Sequence, residues 1–455
     1  MCLCSAASLG CGAADFSRVA APSLGAGLEK SGFSASGYAA MVAASEQLTA
    51  EASVVINNIG CLLDVADELS TGNDIIERVL WDRMLVFRGN MGQLLAHGKH
   101  APLVQAIHTI YCKLAPGRQA RVLIGAEFYE CYEKIAKECH RLGGLKLEEP
   151  NTAQLYSMLL DLVQREYAIQ CVTEGRESFY MKNERSRELW SPVGDIRAVR
   201  DIDGSWDLQA APTIGNVIAV DFDSPLARNY EPRSGVLSQK LLECTAEERA
   251  LVVAKLQQAL DIIDDLKPLY GALIRNCVRR VIVRKSVEEA DYRSSDTSTS
   301  PFGSEHAPRQ PGSIRFLNPH LSGCNVVNCV ERLLHESTHN LLAAWETVNG
   351  TFVVNDDQYR PVSPWSGNLI PNSSFVHATF IYYMCRRLFQ DFLTSSHVKR
   401  ADTKRLIADR LSNFTAGFLI NHSIYDQLLL HADPKHDVRK VLEELQDRVK
   451  KQSDI

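Results

Sequence analysis

The sequence predicts a mainly α protein with a small β component: an N-terminal helical bundle, then a C-terminal α+β metal-site domain in which a strand precedes a helix carrying His335-Glu336-Ser337-Thr338-His339. Three observations predict it. Apolar residues recur at helical spacing from about 38 to 175, as in Val55, Ile56, Ile59 and Leu62 and then Ile75, Val79, Leu80 and Met84. From about 190 to 232 that spacing gives way to short apolar runs broken by glycine and proline. Helical spacing then returns and continues to the C-terminus, interrupted by two strand-like runs, Val281-Ile282-Val283 and the stretch from Gly312 to Leu317.

A chain of 455 residues is long for one core and implies two or three packed units. The boundaries expected are a flexible tail over 1–37, a helical domain over 38–190 and an α+β metal-binding catalytic domain over 191–455. With 45% hydrophobic and 23% charged residues, and no run near the roughly 20 apolar residues of a membrane span, the composition is that of a soluble protein without a membrane partner. A net charge of -6 gives no reason to expect nucleic acid as a partner. The 13 cysteines are scattered, with no CxxC pair, which fits reduced thiols better than a disulfide framework. The N-terminus lacks the basic and apolar regions of a signal peptide, so a cytoplasmic location is expected.

Taken in order, residues 1–37 are rich in Ala, Gly, Ser and Cys and lack periodicity, as a tail would. A helix is expected from Leu155 to Val172, with Leu159, Leu160, Leu162 and Val163 on its apolar face. Ile196, Val199, Ile214, Val217, Ile218 and Val220, set among Gly204, Pro212, Gly215 and Pro225, predict irregular chain with short strands. Thr245-Ala-Glu-Glu248 is a capping box that opens a helix with the stripe Leu251, Leu256, Leu260, Ile263 and Leu266. Pro268 ends it, and a second helix runs to about Asn276. The stretch from Ser294 to Pro311 is expected to be a long polar loop. The strand from Gly312 ends at Asn318-Pro319, a helix follows from about Cys324 to Trp345, residues 351–374 are loop, and helices resume at Phe375.

Two histidines four residues apart lie about 40 degrees apart around a helix and about 6 Å along it, so both imidazoles can reach one ion. Val326, Val330, Leu333, Leu334, Leu341 and Leu342 wall the pair with apolar side chains, the dry setting in which a divalent ion acts most strongly. A strand before such a helix is the arrangement of sites that hold extended peptides. The metzincin extension HExxHxxGxxH is excluded, because Leu342 and Trp345 occupy its Gly and His positions. The glutamate that completes thermolysin-like sites is missing from Thr347 through Leu442. His377, His397, Asp356, Asp357 and Asp391 remain as third donors, and His377 has the most apolar setting, Phe375-Val376-His377-Ala378-Thr379-Phe380.

These residues resemble the HExxH-motif proteins of peptide natural-product (RiPP) gene clusters, regarded as 2-oxoglutarate-dependent peptide β-hydroxylases. The stretch from Ala259 to Val283 resembles that family's long helix, proline-led helix and strand, and Leu334 to Leu341 its motif helix. Ser363-Pro364-Trp365, Pro371 and His377-Ala378-Thr379 resemble its downstream block. The likeness covers about 250 to 395 well and 150 to 250 loosely. It implies Fe(II) held by His335, His339 and His377, with positions left for 2-oxoglutarate and dioxygen, and a peptide substrate such as a leader-bearing precursor. One departure is Asn368-Leu369-Ile370 before Pro371, where an arginine or a charged pair is expected. The cosubstrate's distal carboxylate calls for a cation, and Arg360 and Arg315 are the candidates. The alternatives are a zinc peptidase, with Glu336 as general base and the strand near 312–317 pairing with substrate, and a metal-stabilised scaffold that binds a peptide without turnover.

Overall fold

The computed structural model describes residues 59–97, 101–142, 146–176, 187–228, 241–294, 301–307, 310–354, 360–429, 433–434 and 437–453. The expected tail, together with Val55 and Ile56, lies outside the described residues. The chain is mostly helical with a small sheet component. No helix among the described residues is long and apolar enough to cross a membrane, and the ten described cysteines are all free.

The N-terminal half is built from α1 (Gly72–His97), α2 (Pro102–Tyr111), α3 (Pro116–Ile124), α4 (Ala126–Leu142) and α5 (Pro150–Thr173). Pro102, Pro116 and Pro150 each open a helix, where the missing N–H costs nothing. Phe87, Met91, Ile107, Phe128, Ile135, Tyr156, Leu159 and Val163 form the bundle core. The preceding turn of α1 faces elsewhere: Ile75, Ile76 and Val79 join the core of the C-terminal half. One helix therefore ties the two halves together. The strands β1 (Glu188–Trp190), β2 (Ile196–Arg200) and β3 (Trp206–Ala210) form an antiparallel sheet, and Leu189 and Ala198 pack on Ala168 and Ile169 of α5. The expected division at 190 runs through the β1–β2 hairpin.

The second sheet positions the motif. It contains β4 (Thr213–Ile214), β5 (Ile218–Asp221), β6 (Arg280–Arg284), β7 (Gly303–His306) and β8 (Ser313–Leu317) in the order β4-β5-β6-β8-β7. β5, β6 and β8 are parallel, and β4 and β7 lie antiparallel at the two edges. The crossover from β5 to β6 runs through α6 (Ala246–Leu266) and α7 (Pro268–Cys277). The capping box at Thr245 is formed in full, with the Glu248 amide donating to Thr245 Oγ1 at 3.2 Å and the Thr245 amide to Glu248 Oε2 at 2.8 Å.

Two expectations are corrected here. The stretch from Ser294 to Pro311 is not all loop, because β7 lies within it. Its residues are polar and carry no strand signal of their own; pairing with β8 makes them a strand. β8, in turn, is hydrogen-bonded to β6 on one side and β7 on the other, so its backbone offers no edge to a peptide. Among the described residues, that edge belongs to β7.

The motif helix α8 (Val326–Asn349) begins at Asn325, whose side chain accepts from the Asn328 amide at 3.1 Å, and ends at Gly350, whose φ of 88° only glycine takes without strain. It packs against α1, α6, α7, the strand β7 and α9 (Asn372–Thr394). Such a helix is buried nearly all round. Some of its interior polar groups are satisfied: Ser337 and Thr338 donate to the Leu333 and Leu334 carbonyls, and Asn340 Oδ1 accepts from the Gly312 amide at the start of β8, while Asn340 Nδ2 is buried without a partner. A cluster running from Val327 to Trp345 and on through Phe375, Phe380 and Phe389 of α9 forms the floor of the site. α10 (Ala401–Ala416) and α11 (Val438–Ser453) pack on α9 from outside.

Candidate metal centre

His335, Glu336 and His339 each bring one donor atom within 4.8 Å of the others; His339 follows His335 by four residues and Glu336 by three, so it shares a face of α8 with each. The third expected donor comes from α9. Pro371 precedes the first turn of that helix and His377 lies one turn further in, where its Nδ1 stands 3.1 Å from Nδ1 of His339. Two imidazole nitrogens bound to one ion at about 2.1 Å each stand about 3.0 to 3.4 Å apart at octahedral to tetrahedral angles. The spacing suits either a hydrogen bond between the two rings or an ion shared by them, and His377 stands outside the group that His335, Glu336 and His339 form within 4.8 Å of one another. On its far side, Nε2 of His377 meets Glu346 Oε2 at 3.1 Å, and Glu346 Oε1 accepts the Phe352 amide at 3.0 Å. A carboxylate behind an imidazole fixes the tautomer that leaves the other nitrogen free to ligate. Phe352 packs edge-on against the His377 ring.

A fourth imidazole joins from the edge strand. Residues 304 and 306 share the face of β7 that looks at α8, because strand side chains alternate. Ser304 Oγ donates to Glu336 Oε1 at 2.6 Å, and the His306 ring stacks on His339 with centroids 5.4 Å apart. Both ring nitrogens of His306, and Nδ1 of His335, are buried without a hydrogen-bond partner. Buried orphan imidazole nitrogens are costly unless something binds them. Glu305, on the opposite face, is turned to Arg315 at 2.7 Å.

Burial sets the charge state of the cluster. It pushes His335 down to about 4 and His306 down to about 3, and it holds His339 well below its ordinary value with help from the neighbouring imidazoles. These rings are neutral at neutral pH, the form that ligates a metal. Burial also pushes the Glu336 carboxyl up to about 7, against the opposing pull of the Ser304 hydroxyl. A donor set of neutral imidazoles beside one buried carboxyl fits a divalent transition ion.

The remaining sequence candidates lie elsewhere or in other roles. His397 faces Asp265 at 3.2 Å, and Asp391 pairs with Lys267 at 2.7 Å. Asp356 and Asp357 lie outside the described residues. Arg315 gives Nη1 to Glu305 and Nη2 to Gln310. Arg360 is exposed, at the start of the loop that leads to Ser363. That loop reaches the site through Trp365, which stacks on Tyr382 at 4.6 Å, and Tyr382 in turn meets the His335 ring edge-on at 6.0 Å. Trp365 is fixed by donation to the Phe414 carbonyl at 2.9 Å and by contact with Gly417, where a Cβ would collide with the indole.

Sequence reasoning missed His306, Ser304 and Glu346. Glu346 had a readable signal: it follows His335 by 11 residues, about three helical turns, and so returns to the same face. It stands one residue before the glutamate-free stretch that begins at Thr347. His306 had none, since its approach depends on the pairing of β7. Comparison of the chain with protein-family models gives no match, and comparison with curated proteins gives none.

Proposed function

We propose that the chain is a metal-dependent enzyme in which His335, His339 and His377 hold one divalent ion, and that it is an Fe(II)/2-oxoglutarate-dependent oxygenase hydroxylating the β-carbon of a residue in a peptide. The observation that carries this reading is the third imidazole: His377, from the block that resembles the hydroxylase family, stands 3.1 Å from His339 with Glu346 behind it. Further support comes from Ser363-Pro364-Trp365 of the same block, which reaches the cluster through Tyr382. Fe(II) with 2-oxoglutarate would supply oxygen activation at an ion that keeps open positions. The chain's own part is to hold three imidazoles, to orient His377 through Glu346, to keep water out with Phe352 and Tyr382, and to present the outer edge of β7 to an extended peptide. A leader-bearing ribosomal precursor is a substrate of that chemistry. Arg315 and Arg360 are the cations first expected for the cosubstrate.

A second reading, a zinc hydrolase, has its own observation. The Glu336 carboxyl lies within the donor group and is pushed up to about 7, where a general base for a metal-bound water works well. The two readings separate in one experiment. Protein purified without oxygen is given Fe(II), 2-oxoglutarate and air, and succinate is measured. The oxygenase forms succinate only when all three are present. Peptide cleavage with zinc and no use of 2-oxoglutarate would establish the hydrolase instead.

A further inference from the structure

The start of the motif helix holds two thiols that the metal centre does not use. Asn325 is the N-cap of α8, so Cys324 stands one residue before the cap and Cys329 at the fourth helical position. Side chains at those two positions meet across the first turn, the arrangement of a hydrophobic staple. Here both members of the staple are cysteine. Cys324 is 1% and Cys329 0% exposed, and both pack in the core that runs on to Trp345. The two thiols are in hydrogen-bond contact. That bond, aided by the charges of Arg332 and Lys255, holds Cys324 below the ordinary thiol value and Cys329 well above it.

The backbone that carries the pair is fixed on both sides. Lys255 of α6 donates to the Pro319 and Leu321 carbonyls at 3.1 and 3.0 Å, the Cys324 amide to the Leu321 carbonyl at 3.0 Å, and Asn328 Nδ2 to the Gly323 carbonyl at 3.1 Å. Gly323 packs so closely under Tyr292 that a Cβ would collide with the phenol. Groups already held together lose little freedom on joining, which favours a bond between them. Ser322 and Asn325 are exposed, so Cys324 lies just beneath a surface turn, and a small local opening admits a small oxidant.

We infer that Cys324 and Cys329 are an oxidative modification site, joined by peroxide into a disulfide that clamps the first turn of the metal-bearing helix. The Cys324 thiolate attacks one oxygen of hydrogen peroxide and the O–O bond breaks; Cys324 becomes a sulfenic acid, and the hydroxide released takes up the thiol's proton as water. The Cys329 thiol then attacks the Cys324 sulfur, and the sulfenic oxygen leaves as a second water. Two thiols and one peroxide thus give one disulfide and two waters. His335 follows two turns along the same helix, so a clamp on the first turn acts on the element that carries the ligands.

The full chain treated with hydrogen peroxide, unfolded, alkylated and digested with trypsin tests this, because peptide 316–332 carries both cysteines. It should take up no alkyl group and weigh about 2 Da less than its unalkylated reduced form, at peroxide doses that leave the exposed Cys112 still alkylated. The urea midpoint of the oxidised protein should rise by on the order of 0.5 M, and return on reduction. In Cys329→Ala the rise should vanish and dimedone should capture a sulfenic acid at Cys324. The wild-type digest decides the matter if that variant does not fold. Two alkyl groups on peptide 316–332 after peroxide, or a link from either cysteine to a different one, overturns the site. Equal midpoints for reduced and oxidised protein overturn the clamp.

Discussion

Replacing Glu346 with glutamine decides whether His377 is a ligand or a packed core residue. The substitution keeps the length of the side chain and an acceptor for the Phe352 amide, but it removes a charge 3.1 Å from Nε2 of His377. A carboxylate acceptor at Nε2 favours the tautomer that carries its proton there and turns the Nδ1 lone pair to His339; an amide can turn its NH2 to the ring and release that choice. Loss of such a partner lowers metal affinity by about 10- to 100-fold, or roughly 1.4 to 2.7 kcal/mol. A full charge pair at 4 Å in a medium of effective dielectric 20 gives about 4 kcal/mol, which bounds the effect from above. The assay is competition for Zn(II) or Co(II) against a chromophoric chelator at neutral pH, with urea unfolding of the metal-free protein alongside. Affinity should fall at least about tenfold while the metal-free stability moves by less than about 1 kcal/mol. Unchanged affinity refutes both the role of Glu346 and the place of His377 among the ligands.

His377→Ala should lose bound metal while His397→Ala keeps it, since His397 faces Asp265 away from the cluster; equal retention in the two variants removes His377 from the site. His335→Ala and His339→Ala should each abolish metal retention with little change in far-UV circular dichroism, because α8 is held by its buried apolar residues. The metal-free protein should also weaken in acid. The folded-state values of His306 and His335, about 3 and about 4, lie below the value near 6.5 of an unfolded histidine, so the stability they contribute is complete above about pH 6.5 and is lost as pH falls toward 4. At pH 5 that loss is about 2 kcal/mol per histidine; the Glu336 carboxyl, raised to about 7, works the other way and gives back about as much as one histidine loses, so a net loss remains, and urea midpoints equal at pH 7 and pH 5 would count against the buried neutral cluster.

What the sequence made legible follows from which interactions are local. The capping box at Thr245, the stop at Pro268 and the apolar stripe around His335 are short-range signals, and all three are found as expected. The bounds of α8 shifted by a few residues, from about Cys324 and Trp345 to Val326 and Asn349, because its ends are set by Asn325 and Gly350 and not by the last apolar residue. β7 was hidden, since Gly303-Ser304-Glu305-His306 has neither β-branched residues nor alternating hydrophobicity and owes its form to β8. His306 and Ser304 were hidden with it. Glu346 was visible in helical spacing, yet its task depends on His377 arriving from another helix.

The account stands most directly on where a metal ion binds. Crystals of the protein loaded with Fe(II) under nitrogen, or with Co(II) as a stable substitute, should show in anomalous scattering a single strong peak about 2.1 Å from one ring nitrogen each of His335, His339 and His377. A peak bound to His335, His339 and a carboxylate with His377 turned away, or no peak at the cluster, would contradict it.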